Sequence, residues 1–151
     1  MSRLFPYRWN LLQPITMYLV EENCPFPDEV EACLVHQCDY INYITFGRIN
    51  LVYGGRVDKY PGLRAIENQN VYTFFSDDDE SYWAHAFTWA PNGTEAWGGQ
   101  IKYIRKNVTA PDRFAGISPH ELNHILRFQH THFDSMMKNA PYLEYPLQAL
   151  F

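Results

Sequence analysis

Residues 120–130 read His120-Glu-Leu-Asn-His-Ile-Leu-Arg-Phe-Gln-His130, and this stretch is the most informative part of the chain. Side chains four residues apart lie on one face of an α-helix, so His120 and His124 can approach the same metal ion. Imidazole is a common zinc ligand, and catalytic zinc sites have three protein ligands and one open position. The stretch therefore predicts a helix that carries a zinc site, with His120, His124 and His130 as ligands and Glu121 beside the metal.

The position of the third histidine restricts the backbone that follows the helix. In an uninterrupted helix, His130 would lie about 80° around the axis from His120 and beyond the turn of His124. The chain must therefore leave the helix between His124 and His130. Two other side chains could complete the site. Spacing favours His130 over His132, and the carboxylate of Glu144 is possible in spacing but is the less favoured alternative.

Length and composition predict one domain over residues 1–151. At this length a single hydrophobic core can form, and the 46% of hydrophobic residues, ten prolines and eight glycines indicate an α+β domain with many loops. The net charge of −5 disfavours nucleic acid as a partner, and no basic run indicates a membrane surface. The chain has neither an export signal nor an apolar stretch of the roughly 20 residues that span a bilayer, which leaves a cytoplasmic protein, a leaderless secreted protein or a trimmed domain.

Hydrophobic periodicity predicts a series of strands and one helix before the histidine stretch. Asp28, with Glu31 three residues later, is predicted to cap the helix, and Gly54-Gly55 is predicted to end one strand. The predicted helix covers residues 28–43, and the predicted strands cover residues 15–20, 49–53, 70–75, 82–89 and 100–104.

Pro119 directly precedes the first histidine. Because proline in a helix interior costs about 3 kcal/mol, the sequence favours a helix that starts late or is kinked at this point.

The chain resembles the metzincin zinc peptidases, and among them the matrixin catalytic domain. The segment from His120 to His130 is similar to the matrixin zinc segment except at Arg127, where the family normally has glycine. Ser135-Met136-Met137 is similar to the family's Met-turn, with Met137 preferred to Met136 from the alignment of the serine. Ala84-His85-Ala86, followed by a glycine pair at 98–99, resembles the edge strand on which matrixins bind substrate.

The resemblance implies a fold and an activity. The fold would be a metzincin-like zincin domain: a small twisted, mostly parallel sheet with an antiparallel edge strand, two main helices, a short C-terminal helix and a cleft over the zinc helix. The activity would be that of a monomeric zinc endopeptidase, which hydrolyses peptide bonds of a peptide or protein substrate with a metal-activated water and Glu121 as the general base. Pro141-Tyr142 resembles the wall of the family's specificity pocket.

Other metals are less well supported by the residues. His85 matches one ligand of the structural zinc that matrixins hold, but Lys102 stands where another histidine is expected, which argues against a second zinc. Asp77, Asp78 and Asp79 offer the hard oxygen ligands that calcium prefers, without a defined ligand spacing.

Two alternatives to an endopeptidase are consistent with the same residues. A catalytically silent zinc-binding or interaction module could keep the ligands while Arg127 and Pro119 disturb the geometry. A zinc hydrolase that acts on a non-peptide amide could use the same metal and base. The retained Glu121 argues against the first alternative, and the substrate strand argues against the second.

Overall fold

A computed structural model describes residues 7–126 of the chain. Its strands are β1 (Ile15–Val20), β2 (Leu51–Val57), β3 (Asn70–Ser76), β4 (Ala84–Trp89) and β5 (Gly98–Ile104). Its helices are α1 (Pro27–Ile44) and α2 (Pro111–Ile125), with a short 3-10 helix at Leu63–Ala65. Every strand and the helix predicted from periodicity are present, with bounds that differ by a few residues.

The five strands form one sheet in the order β2-β1-β3-β5-β4. β1, β2, β3 and β5 are parallel, whereas β4 pairs antiparallel with β5 and lies at the edge. This confirms the predicted α+β class, with a mostly parallel sheet, an antiparallel edge strand and two helices.

The core lies between the sheet and the two helices. Alternate residues of β1 and β3 are buried, as expected for strands with one face on a core. α1 packs against β1 and β2, α2 packs against β4 and β5, and the helices contact each other. Tyr103 of β5 joins the two layers, because its ring centroid lies 5.3 Å from that of Phe75 and 4.7 Å from that of Phe114.

The start of α1 differs from the prediction. The N-cap residue is Phe26 and Pro27 occupies the first helical position, so the prediction that Asp28 caps the helix is wrong. Proline suits this position because its missing N–H would have no helical partner there. Asp28 and Glu31 instead bind the guanidinium of Arg56, with Nη2–oxygen distances of 2.7 and 3.0 Å.

The glycine pairs lie within strands rather than in turns. β2 continues through Gly54-Gly55 to Val57, and β5 begins at Gly98. A Cβ atom at Gly54 would lie 2.6 Å from Thr16 Cγ2, and one at Gly98 would lie 2.3 Å from the carbonyl oxygen of Asn70. Close approach between strands, which the sequence does not reveal, therefore requires these glycines.

α2 begins at Pro111, nine residues before His120, so the prediction of a late start is wrong. The helix continues across Pro119, which lies in its interior. The residue four positions earlier, whose carbonyl the proline ring approaches in a helix, is Ala115, and Gly116 follows it. Because Pro119 has no N–H, the helix lacks the hydrogen bond to the Ala115 carbonyl.

Two further features of the described residues concern membrane-spanning helices and the cysteines. Within residues 7–126, no helix is long and apolar enough to cross a membrane. Cys24, Cys33 and Cys38 are all free thiols, and burial raises the pKa of Cys38 to about 12.

Candidate metal centre

The last two turns of α2 bring the first two predicted ligands together. The Nε2 atoms of His120 and His124 lie 3.2 Å apart, and the two rings are nearly perpendicular, at 86°. His120 is only 2% exposed, whereas His124 is half-buried. The helical spacing thus places the two ring nitrogens close together on one face of α2.

This separation fits two ligands of one zinc ion. Zinc–nitrogen bonds of about 2.05 Å in a tetrahedral site place the two nitrogens roughly 3.3 Å apart. Within residues 7–126, no group of three metal-binding side chains is present. The described part of the chain therefore supplies two of the three predicted ligands.

Glu121 lies buried against the edge strand. Its side chain is 4% exposed, and burial raises the pKa of the carboxyl to about 8, although a hydrogen bond from the backbone N–H of Ala86 opposes this shift. A cation at the neighbouring histidines would lower the pKa, because an opposite charge favours the carboxylate. The structure thus brings the predicted base into contact with the predicted substrate strand.

The hydrogen-bond pattern of β4 shows which of its backbone groups face away from the sheet. Trp83 carbonyl accepts from Ile104 N–H at 2.9 Å, and the register then pairs Ala84 with Tyr103. Because bonded and non-bonded pairs alternate in an antiparallel ladder, Ala84, Ala86 and Thr88 direct their backbone groups outwards. The Ala86 hydrogen bond to Glu121 agrees with this assignment, so the outer edge of β4 faces the second half of α2.

Two aromatic side chains before β1 complete the surroundings of the histidines. Tyr7 donates its hydroxyl to the carbonyl of His124 at 2.8 Å, and the indole N–H of Trp9 donates to the carbonyl of Ile125 at 2.7 Å. Thr88 in turn donates to the Tyr7 hydroxyl at 2.9 Å. The sequence analysis did not identify these roles, because the contacts span more than 80 residues and follow no local pattern.

The acidic loop between β3 and β4 is neutralised by basic side chains of the same chain. Arg105 pairs with Asp77 at 2.7 Å, Lys102 pairs with Asp78, and Lys106 pairs with Asp79. These carboxylates therefore have internal counterions. Whether they also bind calcium stays a prediction.

His85 lies exposed on β4, directly opposite Lys102. The residue paired with His85 across the strands is thus a lysine, whose ammonium group binds Asp78. The expectation that no structural zinc binds here stays a prediction.

The remaining predicted site residues lie outside the described residues. They are His130, the Met-turn candidates Met136 and Met137, and the pocket-wall candidates Pro141 and Tyr142. Their assignments stay predictions.

Comparisons with models of protein families and with curated proteins find no match for this chain. The resemblance to matrixins thus depends on the motifs quoted above.

Proposed function

We propose that this protein is a zinc-dependent endopeptidase of the metzincin type. The observation that carries the proposal is the 3.2 Å separation of the two Nε2 atoms on α2, with Glu121 buried between this helix and the edge strand. These residues supply two of the three ligands of a catalytic zinc site and an adjacent carboxylate that can act as the base. The matrixin resemblance supports a peptide as the substrate.

His120 and His124 would hold the zinc ion together with His130. When bound, zinc supplies Lewis acidity, which polarises a carbonyl oxygen and lowers the pKa of water towards about 7. The near-perpendicular rings of His120 and His124 direct both nitrogens to one point without requiring a change in the helix.

Glu121 would act as the general base and then as the acid. Its carboxylate takes a proton from the attacking water and delivers it to the leaving amine, which is the usual role of a positioned carboxyl group in amide hydrolysis. The Ala86 N–H that donates to this carboxyl helps to hold it beside the histidines.

The outer edge of β4 would bind the peptide as an additional strand. The outward-facing backbone groups of Ala84 and the carbonyl of Ala86 can pair with a peptide main chain, which gives affinity with little dependence on sequence, whereas the Ala86 N–H donates to Glu121. Both residues have the smallest chiral side chain, so neither obstructs an approaching strand. Pro141 and Tyr142 would form part of the pocket that sets side-chain preference.

A test compares wild type with Glu121→Gln and with the control Glu29→Gln, the same substitution at an exposed position of α1. We expect about one zinc per chain in all three proteins and chelator-sensitive cleavage of casein by wild type and the control. Glu121→Gln should reduce cleavage by about 10²- to 10⁴-fold, because it removes the proton acceptor and keeps the shape.

Other outcomes would distinguish the alternatives. Zinc binding without cleavage of casein or gelatin by any of the three proteins would favour a silent zinc-binding module. Hydrolysis of small non-peptide amides alone would favour the amide hydrolase. Absence of zinc from wild type would refute the proposal.

A further inference from the structure

The end of α2 has an unusual arrangement of hydrogen-bond donors. The last four carbonyls of a helix have no partner inside the helix, and backbone N–H groups that follow a glycine commonly bind them. No glycine occurs between residues 117 and 151 of this chain. Two of the last carbonyls, those of His124 and Ile125, accept from the side chains of Tyr7 and Trp9.

These donors come from a segment that is fixed independently of α2. Arg8, between the two aromatic residues, donates its N–H to the carbonyl of Thr94 at 2.7 Å and accepts from Ala96 N–H at 2.9 Å. Tyr7 and Trp9 are each only 9% exposed. Backbone pairing with residues 94–96, which lead into β5, therefore holds both side chains rigidly against the helix end.

The Tyr7 hydroxyl also links the helix to the edge strand. It accepts from Thr88 Oγ1 and donates to the carbonyl of His124, so one oxygen atom connects the end of β4 with a predicted metal ligand. Hydrogen-bonded partners that orient metal ligands are worth about 10- to 100-fold in metal affinity or activity.

We propose that Tyr7 and Trp9 are positioning residues of the metal site, which end α2 at Ile125 and hold its last turn against the substrate strand. This inference rests on the proposed function. The two donors satisfy carbonyls that otherwise favour another helical turn, and a further turn would carry His130 away from the metal.

The test uses Tyr7→Phe in the full chain, with Tyr53→Phe as the matched control. Both substitutions remove one phenolic hydroxyl. The hydroxyl of Tyr53 donates to Glu31 at 2.6 Å, and Tyr53 lies in β2, the strand at the opposite edge of the sheet from β4. The first measurement, hydrogen exchange of the Leu126 amide, needs no metal. This amide donates to the Leu122 carbonyl at the helix end, and we expect it to exchange faster in Tyr7→Phe only.

The second measurement concerns the metal itself. We expect Tyr7→Phe to bind zinc about tenfold more weakly in competition with a chelator and to change the visible absorption of the cobalt-substituted protein. Tyr53→Phe should leave both unchanged. A purely structural role for Tyr7 would alter stability but not the cobalt spectrum.

The outcomes separate the two proposals. Faster exchange at Leu126 with unchanged zinc affinity and cobalt spectrum overturns the positioning role and leaves the proposed function intact. Unchanged exchange overturns the proposed role of Tyr7 at the helix end. Wild type that binds neither zinc nor cobalt overturns the proposed function and the positioning role with it.

Discussion

At the scale of single residues, Gly98 shows how closely the strands approach one another. An added Cβ would lie 2.1 Å from Ile66 Cγ2 and 2.3 Å from the carbonyl oxygen of Asn70. The neighbouring Gly99 has more space, since its nearest contacts, Ile125 Cδ1 and Phe87 O, are both at 3.0 Å. The two glycines look alike in the sequence but differ in what surrounds them.

Gly98→Ala is therefore expected to lower the free energy of unfolding by about 2 to 3 kcal/mol, because a backbone oxygen cannot move away as a side-chain end can. Gly99→Ala, the matched control one residue along the same strand, should cost less. Urea denaturation of both variants measures the difference. Equal costs would show that β3 and β5 are not as close at Gly98 as described.

At the scale of elements, α2 is held to the other helix by a buried polar contact. Gln37 of α1 donates its amide to Ser118 Oγ at 2.8 Å, and both side chains are at most 2% exposed. Polar groups this deep in a core need partners, because an unmade hydrogen bond there costs more than a made one contributes. The contact lies two residues before His120 and fixes the rotation of α2 against α1.

Ser118→Ala should lower the free energy of unfolding by about 1 to 2 kcal/mol, because it leaves the buried amide of Gln37 without its oxygen acceptor. Ser76→Ala is the control. Its hydroxyl accepts from the Asp78 N–H in an exposed loop, where water can replace it. Thermal unfolding of the two variants should show a clearly larger shift for Ser118→Ala, and equal shifts would argue against a buried contact between the helices.

At the scale of the whole molecule, Arg56 connects three parts of the chain. Its guanidinium binds Glu21 after β1 and both Asp28 and Glu31 of α1. Hydrogen bonds from Arg56 and from Tyr53 lower the pKa of Glu31 below its usual value. Glu31 thus stabilises the folded state above its unfolded pKa, and this contribution is lost as pH falls through the folded pKa.

Glu31→Gln should consequently reduce the free energy of unfolding at pH 7 by about 0.5 to 1 kcal/mol, since the pair is partly exposed. At a pH below the lowered pKa, both proteins are uncharged at this position and the difference should disappear. Urea denaturation at pH 7 and at acid pH measures the difference in the free energy of unfolding between wild type and Glu31→Gln. Glu29→Gln, in the exposed first turn of the same helix, should show a smaller difference at pH 7, and a difference that persisted in acid would contradict the assignment to Glu31.

Much of the fold and part of the site could be predicted because their signals are local. β-Branched and aromatic residues after Pro14 placed β1 at its observed residues, and the i, i+4 spacing of His120 and His124 predicted that the two nitrogens meet. The predictions failed where a tertiary contact decided the outcome. Asp28 lies inside α1, which begins at Pro27, and it binds Arg56. Gly54 lies inside β2, where an added Cβ would meet Thr16.

The sequence by itself determined the chemistry: which side chains can bind a metal, which carboxyl lies next to them, and which small residues can form an edge strand. Helical and strand periodicities carry this information within a few residues. Only the tertiary structure decided that Ala86 meets Glu121, that Lys102 lies opposite His85, and that Tyr7 and Trp9 end α2. These contacts join residues up to 117 positions apart, and chain spacing alone cannot specify them, because they depend on how the sheet and helices pack.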